Sequence, residues 1–434
     1  MTNRTLSQPV GAASSGFSLA DGLRYGALGA PLAFAALPLY VLLPNHYAAQ
    51  LGVPLAGLGA VLLGTRALDA LIDPWLGRMV DAGLARPRRQ VLAAAAGAAL
   101  LMALGFAALF FPQVQGSDAL LAWCAVALVV TCLGYSALGV LHQAWGARLG
   151  GGATAQARIT GWREGLSLAG VLAASVLPAL AGVPVMVVTC ITLLALAIWA
   201  LSGAPFRAAP LRLLQTGTAS EPGAWLLPWR TPAFRRLMAV FLLNGVASAI
   251  PATLVIFFIR DRLQAPAWEP AFLGSYFAAA ALSMPLWVRA VARFGLLRCW
   301  LAGMGLAIAA FMWAARLGSD DTAAFLAICI ASGVALGADL AVPGALLTGV
   351  IQRAGHALRH EGNYFGWWTC ANKLNLALAA GLALPALQWL GYAPGATDPT
   401  ALNALAVVYA AVPCLLKAGA AGLLWTFRTH LDRP

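Results

Sequence analysis

Apolar runs of about 20 residues or more recur along the whole chain, and no other feature restricts its fold so severely. A helical run of that length crosses the roughly 30 Å hydrocarbon layer of a bilayer. Such runs lie near 23–45, 55–80, 90–111, 118–146, 159–181 and 183–203. After a break they resume near 234–259, 269–292, 297–316, 322–350, 363–391 and 401–427. Backbone inside lipid must satisfy its own polar groups, so only helices and closed barrels span a membrane. Barrel strands alternate polar and apolar residues, and these runs do not. The expectation is an all-α integral membrane protein of about twelve transmembrane helices. Composition agrees: 61% of residues are hydrophobic with Gly left out and only 10% are charged, against roughly 45–50% apolar for a soluble domain with Gly included.

The net charge of +12 would point to nucleic acid in a soluble protein. Here the basic residues sit in short loops between apolar runs, which is a topology signal, so nucleic acid is not an expected partner. One set of loops holds Arg86, Arg88 and Arg89; Arg148 and Arg158; Arg207, Arg212, Arg230, Arg235 and Arg236; Arg293 and Arg298; and Arg353 and Arg359. The opposite loops hold little beyond Arg260, Arg262 and Arg316. The positive-inside rule then places both termini in the cytoplasm of a bacterial-type inner membrane. The polar start, MTNRTLSQPVGAASSGFSLADG, lacks the short apolar core of a removable signal. The seven cysteines lie within or at the edges of apolar stretches without metal or CxxC spacing, and no disulfide framework is expected.

One long polar connection, 204–233, divides the chain into an N-terminal six-helix bundle (1–203) and a C-terminal one (234–434). A faint repeat supports the division: IDPWLGRMVDAGLARPRR from Ile72 resembles SMPLWVRAVARFGLLRCW from Ser283, with Pro74 over Pro285 and Arg78 over Arg289. Parallel six-helix repeats are the mark of the major facilitator architecture, whose sites lie at midplane between the halves.

Charge in the oily segments carries the functional signal. In RALDALIDPWLGR, Arg66, Asp69 and Asp73 fall on one helix face. Each would cost at least about 2.5–3.5 kcal/mol at the bilayer centre, so the face must meet protein or a water-filled cavity. A structural Arg66–Asp69 pair is the bland reading, and it leaves Asp73 without a partner. Two carboxylates one turn apart suit a monovalent cation or a shared proton, with Arg66 as local counter-charge. Pro74 leaves a carbonyl of the preceding turn without its donor and permits a bend beside them. Lys373 lies too deep for easy snorkelling, and Asp339 lies mid-helix in SGVALGADLAVPG. Arg163 sits near a cytoplasmic helix end, where snorkelling and function are equally open. Lys417 reads as reaching the cytoplasmic headgroups.

The motif R-x-x-D-x-x-x-D-P-x-x-G-x-x-x-D from Arg66 to Asp81, YGALG at Tyr25 and E-G-x-Y-F-G-x-W-x-x-x-x-K from Glu361 to Lys373 resemble the glycoside–pentoside–hexuronide:cation symporters. These are the melibiose-permease-like branch of the major facilitator superfamily, to which animal lysophosphatidylcholine transporters also belong. The resemblance implies a coupling cation, H⁺ or Na⁺, at Asp69 and Asp73, helped by Ser136 and Thr369. It implies coupling or substrate contact for Arg66, Arg163 and Lys373. It also implies a cytoplasmic gate built from Gly77 and Asp81 with Arg86, Arg88 and Arg89. The family's Asn between the two acids is Ile72 here, which removes an oxygen ligand and tilts the reading toward H⁺. Sugar-handling acids and an aromatic plate of that family are replaced by Pro31, Gly139 and Gln143, which puts a sugar in doubt.

Weaker signals divide between structure and function. His356 and His360 with Glu361 have helical spacing but no evident third ligand from elsewhere, so no metal is expected. The Gly150–Gly152 run lacks the lysine and strand of a phosphate loop. Trp75, Trp145, Trp162, Trp225 and Trp229 read as interfacial anchors, whereas Trp367 and Trp368 could line a cavity mouth. The expected function is cation-coupled transport of a small polar solute, sugar or glycoside-like. Alternatives are transport of a lysophospholipid or related amphipath, and a non-transporting assembly factor or sensor. No enzyme chemistry and no cofactor beyond the coupling ion are expected. The expected partners are the solute or lysolipid and the bilayer, and the expected state is a monomer.

Overall fold

The computed structural model describes residues 17–207, 224–319 and 321–431, which are helical with short connections and contain no strand. The long helices are α1 (Leu19–Gly26), α2 (Gly29–Leu37), α3 (Leu55–Leu84), α4 (Arg88–Phe110), α5 (Ser117–Arg148), α6 (Ala153–Ser202), α7 (Pro232–Phe257), α8 (Glu269–Phe294), α9 (Leu296–Phe311), α10 (Thr322–Arg353), α11 (Glu361–Trp389) and α12 (Val412–Leu431). Ser18 starts α1 through a reciprocal cap with Asp21, which satisfies two end amides at once. The first crossing continues from α2 through wide helical turns at Pro38–Leu42 and His46–Gln50. Gly182, at φ 81°, breaks α6 into a fifth and a sixth crossing. A side chain would strain the backbone there.

Among the described residues, nine helical segments are long and apolar enough to cross a membrane. Three further crossings escape that count for physical reasons. The first is interrupted, α3 carries Arg66, Asp69, Asp73, Arg78 and Asp81, and the first part of α6 carries Arg158, Arg163 and Glu164. Most of the 204–233 connection lies outside the described residues. Its described edges are tied down at the helix ends that carry Arg86, Arg88 and Arg89, hereafter the basic end. Arg88 donates to the carbonyls of Ser202 and Ala204, both at 2.6 Å.

Helices α1–α6 and α7–α12 form two bundles. In the first, α3 and α4 pack on α5, and α1 and α2 pack on α6. In the second, α8 and α9 pack on α10, and α11 and α12 pack on α7. Two seams join them: α3 and α5 against α11, and α6 against α8 and α10. The repeated segments around Pro74 and Pro285 thus fall on α3 and α8, each of which crosses a seam to the other bundle. Small residues let the backbones approach. A Cβ on Gly170 of α6 would stand 2.1 Å from the carbonyl oxygen of Ala30 on α2.

Candidate functional site

The face of α3 that carries the two acids turns inward, toward α5 and α11. Lys373 of α11 crosses the seam and places its ammonium Nζ 2.7 Å from Asp69 Oδ2 and 2.9 Å from Asp73 Oδ2. The same ammonium donates to Asp73 Oδ1 at 2.9 Å and to Ser136 Oγ at 2.8 Å. Ser136, on α5, in turn donates to Asp69 Oδ1 at 2.7 Å. The Asp73 side chain is fully buried and that of Lys373 is 13% exposed. Asp73 Oδ2 receives no directed hydrogen bond. Two carboxylates and one ammonium, all ionised, leave the cluster one negative charge in excess in a low-dielectric setting. One further positive charge or one proton would balance it.

The sequence reading of Arg66 as the partner of Asp69 is corrected. Among the described residues Arg66 forms no ion pair; its guanidinium lies over the Tyr40 ring, 4.5 Å from the centroid. Lys373 reaches both acids from another helix and outcompetes the i,i+3 neighbour. Thr369, one turn before Lys373, accepts from Gln143 Nε2 at 3.3 Å and, among the described residues, forms no hydrogen bond with the acids. Arg163 also stays away from them. It pairs with Glu164 at 2.7 Å and lies along the α6–α10 seam near Gly344. Both tryptophans pack on aromatic neighbours. Trp367 donates to the Trp225 carbonyl and packs among Trp225 and Trp229, while Trp368 stacks on Phe241 with centroids 3.6 Å apart.

Below the cluster, toward the basic end, α3 and α11 cross on glycine. A Cβ on Gly77 would stand 2.2 Å from the Gly362 carbonyl oxygen, and one on Gly366 2.5 Å from that of Asp73. One turn on, Asp81 accepts from the backbone amides of Gly362 and Asn363 at 2.7 and 2.8 Å. An acid of the first bundle thereby caps the first helix turn of α11, where orphan amides and the helix dipole favour negative charge. Arg148 lies between, 3.0 Å from Glu361 and 3.6 Å from Asp81. Its side chain is 2% exposed, so its reading as a loop charge is corrected. Of the expected gate residues, Gly77 and Asp81 meet α11, Arg88 holds the 202–204 carbonyls, and Arg86 and Arg89 are exposed. These contacts tie α3 and α5 to α11 at the basic end.

Trp145, read as an interfacial anchor, is instead buried and donates to the Pro205 carbonyl at 2.8 Å. In the loop before α11, His356 Nδ1 lies 2.8 Å from the Tyr364 hydroxyl. Burial, helped by His356, Arg359 and Arg148, pushes His360 down to about 4. The closed loop therefore binds fewer protons than an opened one between the unperturbed value of about 6.5 and 4, and closure is lost as pH falls through that window. Amide exchange over 354–362, corrected for intrinsic rate, is expected to quicken from pH 7 to pH 5. His360→Gln should flatten that dependence.

In the second bundle, Asp339 and Lys417, read separately from the sequence, form one ion pair at 2.7 Å. Lys417 also donates to Asn244 Oδ1 and Ser248 Oγ, and Asp339 Oδ1 accepts from Trp300 and Asn244. Lys417 is buried, so its assignment to the headgroups is corrected. A bundle interior holding a carboxylate is a better partner than the distant interface. Asp339 accordingly belongs to this pair, apart from the acids on α3.

Two six-helix bundles joined along two seams are the arrangement of the major facilitator fold. A family model described as MFS/sugar transport protein matches residues 22–433, and the chain belongs to that family, which includes the melibiose-permease-like symporters. A comparison with curated proteins finds no match. Among solved structures, the chain is similar to a bacterial homologue of the iron transporter ferroportin in its outward-facing state, with TM-score 0.66 and 17% identity over 95% of this chain and 100% of that one. It is similar to the E. coli fucose:proton symporter, with TM-score 0.63 and 14% identity over 93% and 98% of the two chains. The human organic anion transporter gives TM-score 0.63 and 17% identity over 93% and 98%. At these identities the likeness is one of fold.

Proposed function

We propose that the protein is a proton-coupled symporter of a small polar solute, working by alternating access between its two bundles. The observation that carries this reading is the ammonium of Lys373 bridging Asp69, Asp73 and Ser136 across the seam. The lysine already occupies the oxygen-lined position that a sodium ion would take. A proton added to the acid pair neutralises the excess charge and weakens the hold on Lys373, and that links ion binding to movement of α11 against α3. Gly77, Asp81 and Arg148 then act as the cytoplasmic lock, with both termini in the cytoplasm of an inner membrane. One charge moved through 100 mV supplies about 2.3 kcal/mol, close to fiftyfold accumulation. The fold likeness to a fucose:proton symporter favours a sugar-like solute.

A second substrate reading, an anionic amphipath such as a lysophospholipid, is favoured by Arg66. It is an exposed guanidinium without an acidic partner among the described residues, stacked on Tyr40 within one turn of Asp69, and guanidinium suits phosphate. A thermal-shift screen of purified protein against sugars, glycosides, organic acids and lysolipids identifies the substrate, because a ligand bound to the native state raises stability. With that substrate in proteoliposomes, Asp69→Asn and Asp73→Asn are expected to abolish uphill uptake while the protein still inserts. Full gradient-driven uptake by both variants would overturn the assignment.

A further inference from the structure

Glu164 is a charged group of the membrane interior that neither the Lys373 cluster nor the contacts at the basic end use. It lies about three turns inside the basic end of α6, the depth at which Asp73 and Lys373 lie in α3 and α11. Arg163 donates to it through Nε at 2.9 Å and Nη2 at 2.7 Å, and both bonds end on one oxygen, Oε1. The other oxygen, Oε2, accepts nothing among the described residues and is not sealed by packing, and the side chain is 22% exposed. A pair between neighbours on one helix ties no second element to α6, so it adds no tertiary link in return for two charges in a membrane segment. The direction of Glu164 follows from the residues one turn to either side, which share its helix face. Thr160 lies against α10 at Gly344, 3.5 Å from where a Cβ of that glycine would stand. Leu168 packs with Ala341 of α10 and with Ala280 and Met284 of α8. Glu164 therefore points across the second seam at the stretch 341–344 of α10, which has no polar side chain. Arg163 faces the same glycine, with Nη2 3.6 Å from the position of its Cβ, and also meets Tyr25 of α1.

We infer that Glu164 and Arg163 together read two adjacent hydroxyls of a neutral solute held between α6 and α10. One hydroxyl donates to Glu164 Oε2, and its neighbour accepts from an N–H of Arg163 that is not given to Glu164. An ionised carboxylate only accepts and a guanidinium only donates, so a vicinal diol, which does both, satisfies the two at once. The pair is already neutral. A cationic solute would compete with Arg163 for the carboxylate, and an anionic one would compete with Glu164 for the guanidinium. A neutral polyhydroxylated solute displaces neither. The inference rests on the reading of the protein as a carrier of a small polar solute, and it assigns to Glu164 the choice among such solutes.

The test is equilibrium binding to the full-length protein in detergent, with D-glucose, D-galactose, L-fucose, D-xylose, myo-inositol and lysophosphatidylcholine as probes. At least one neutral probe is expected to bind saturably, and loss of either of two adjacent hydroxyls from it, in its monodeoxy analogues, should weaken binding about tenfold. Glu164→Gln should weaken the parent probe about tenfold and shrink the penalty for one of those two deoxy changes to about threefold or less. A role in folding alone would weaken parent and analogues alike and leave that penalty intact. Because Glu164→Gln leaves Arg163 without its carboxylate, the double variant Arg163→Gln/Glu164→Gln, which removes both charges, is the second arm. It should fold and bind the neutral probe about tenfold more weakly than the native chain. A deoxy penalty of native size in both variants would overturn the role of Glu164 and leave the carrier reading standing. Failure of every neutral probe to bind, whether or not lysophosphatidylcholine binds, would overturn the polar-solute reading itself and this inference with it.

Discussion

Lys373→Met is expected to destabilise the purified protein at pH 8 by about 3–5 kcal/mol, the usual cost of removing one partner from a buried ion pair. The ammonium is the positive charge within 3 Å of both acids, and Met supplies the volume without it. Two carboxylates would then face each other across one helical turn with only Ser136 as a donor. Acid should relieve the damage, because one added proton removes the repulsion. The melting temperature of Lys373→Met is therefore expected to approach that of the native chain at pH 5, and the double variant Lys373→Met/Asp73→Asn should recover much of the loss at pH 8. A melting temperature unchanged at pH 8 would mean that the pair is held by something other than Lys373.

Gly77→Val is expected to remove the closed state at the basic end. Its Cβ would meet backbone of Gly362 at 2.2 and 2.8 Å and Asn363 Cα at 3.1 Å, and backbone cannot rotate out of the way as a side chain can. Helices α3 and α11 must separate, and Asp81 then loses the amides of Gly362 and Asn363. A cysteine at position 143, in a chain whose own cysteines are replaced, should react with an impermeant maleimide from the basic end at least tenfold faster in Gly77→Val. Gly83→Val is the matched control on the same helix, because a Cβ there meets nothing within 4 Å. Equal rates for the two variants would show that the glycine crossing is not the lock.

The helices were legible because a bilayer admits few alternatives to a long apolar run. The acids and Lys373 were legible for the converse reason: charge in such a run is costly and so has a use. What the sequence could not supply was reach between helices. Arg66 stands at the right spacing for Asp69, yet a lysine about 300 positions away takes the acid. Asp339 and Lys417 each looked solitary because their pairing depends on how α10 and α12 pack. Arg148 and Trp145 resembled ordinary residues at a helix end, and only the fold of the 202–206 and 358–363 segments around them shows that both are buried. Ser136 is one hydroxyl in an apolar helix, and it was found through family resemblance alone.

The central claim is that the acid pair held by Lys373 carries the coupling proton. The most direct measurement is the external pH of weakly buffered proteoliposomes as substrate is added without an imposed gradient. Native protein is expected to make the exterior alkaline as protons enter with substrate, with no dependence on Na⁺. Asp73→Asn is expected to give no pH change while still exchanging substrate across the membrane. Alkalinisation by Asp73→Asn equal to that of the native protein, or native uptake that requires Na⁺ and moves no protons, would contradict the account.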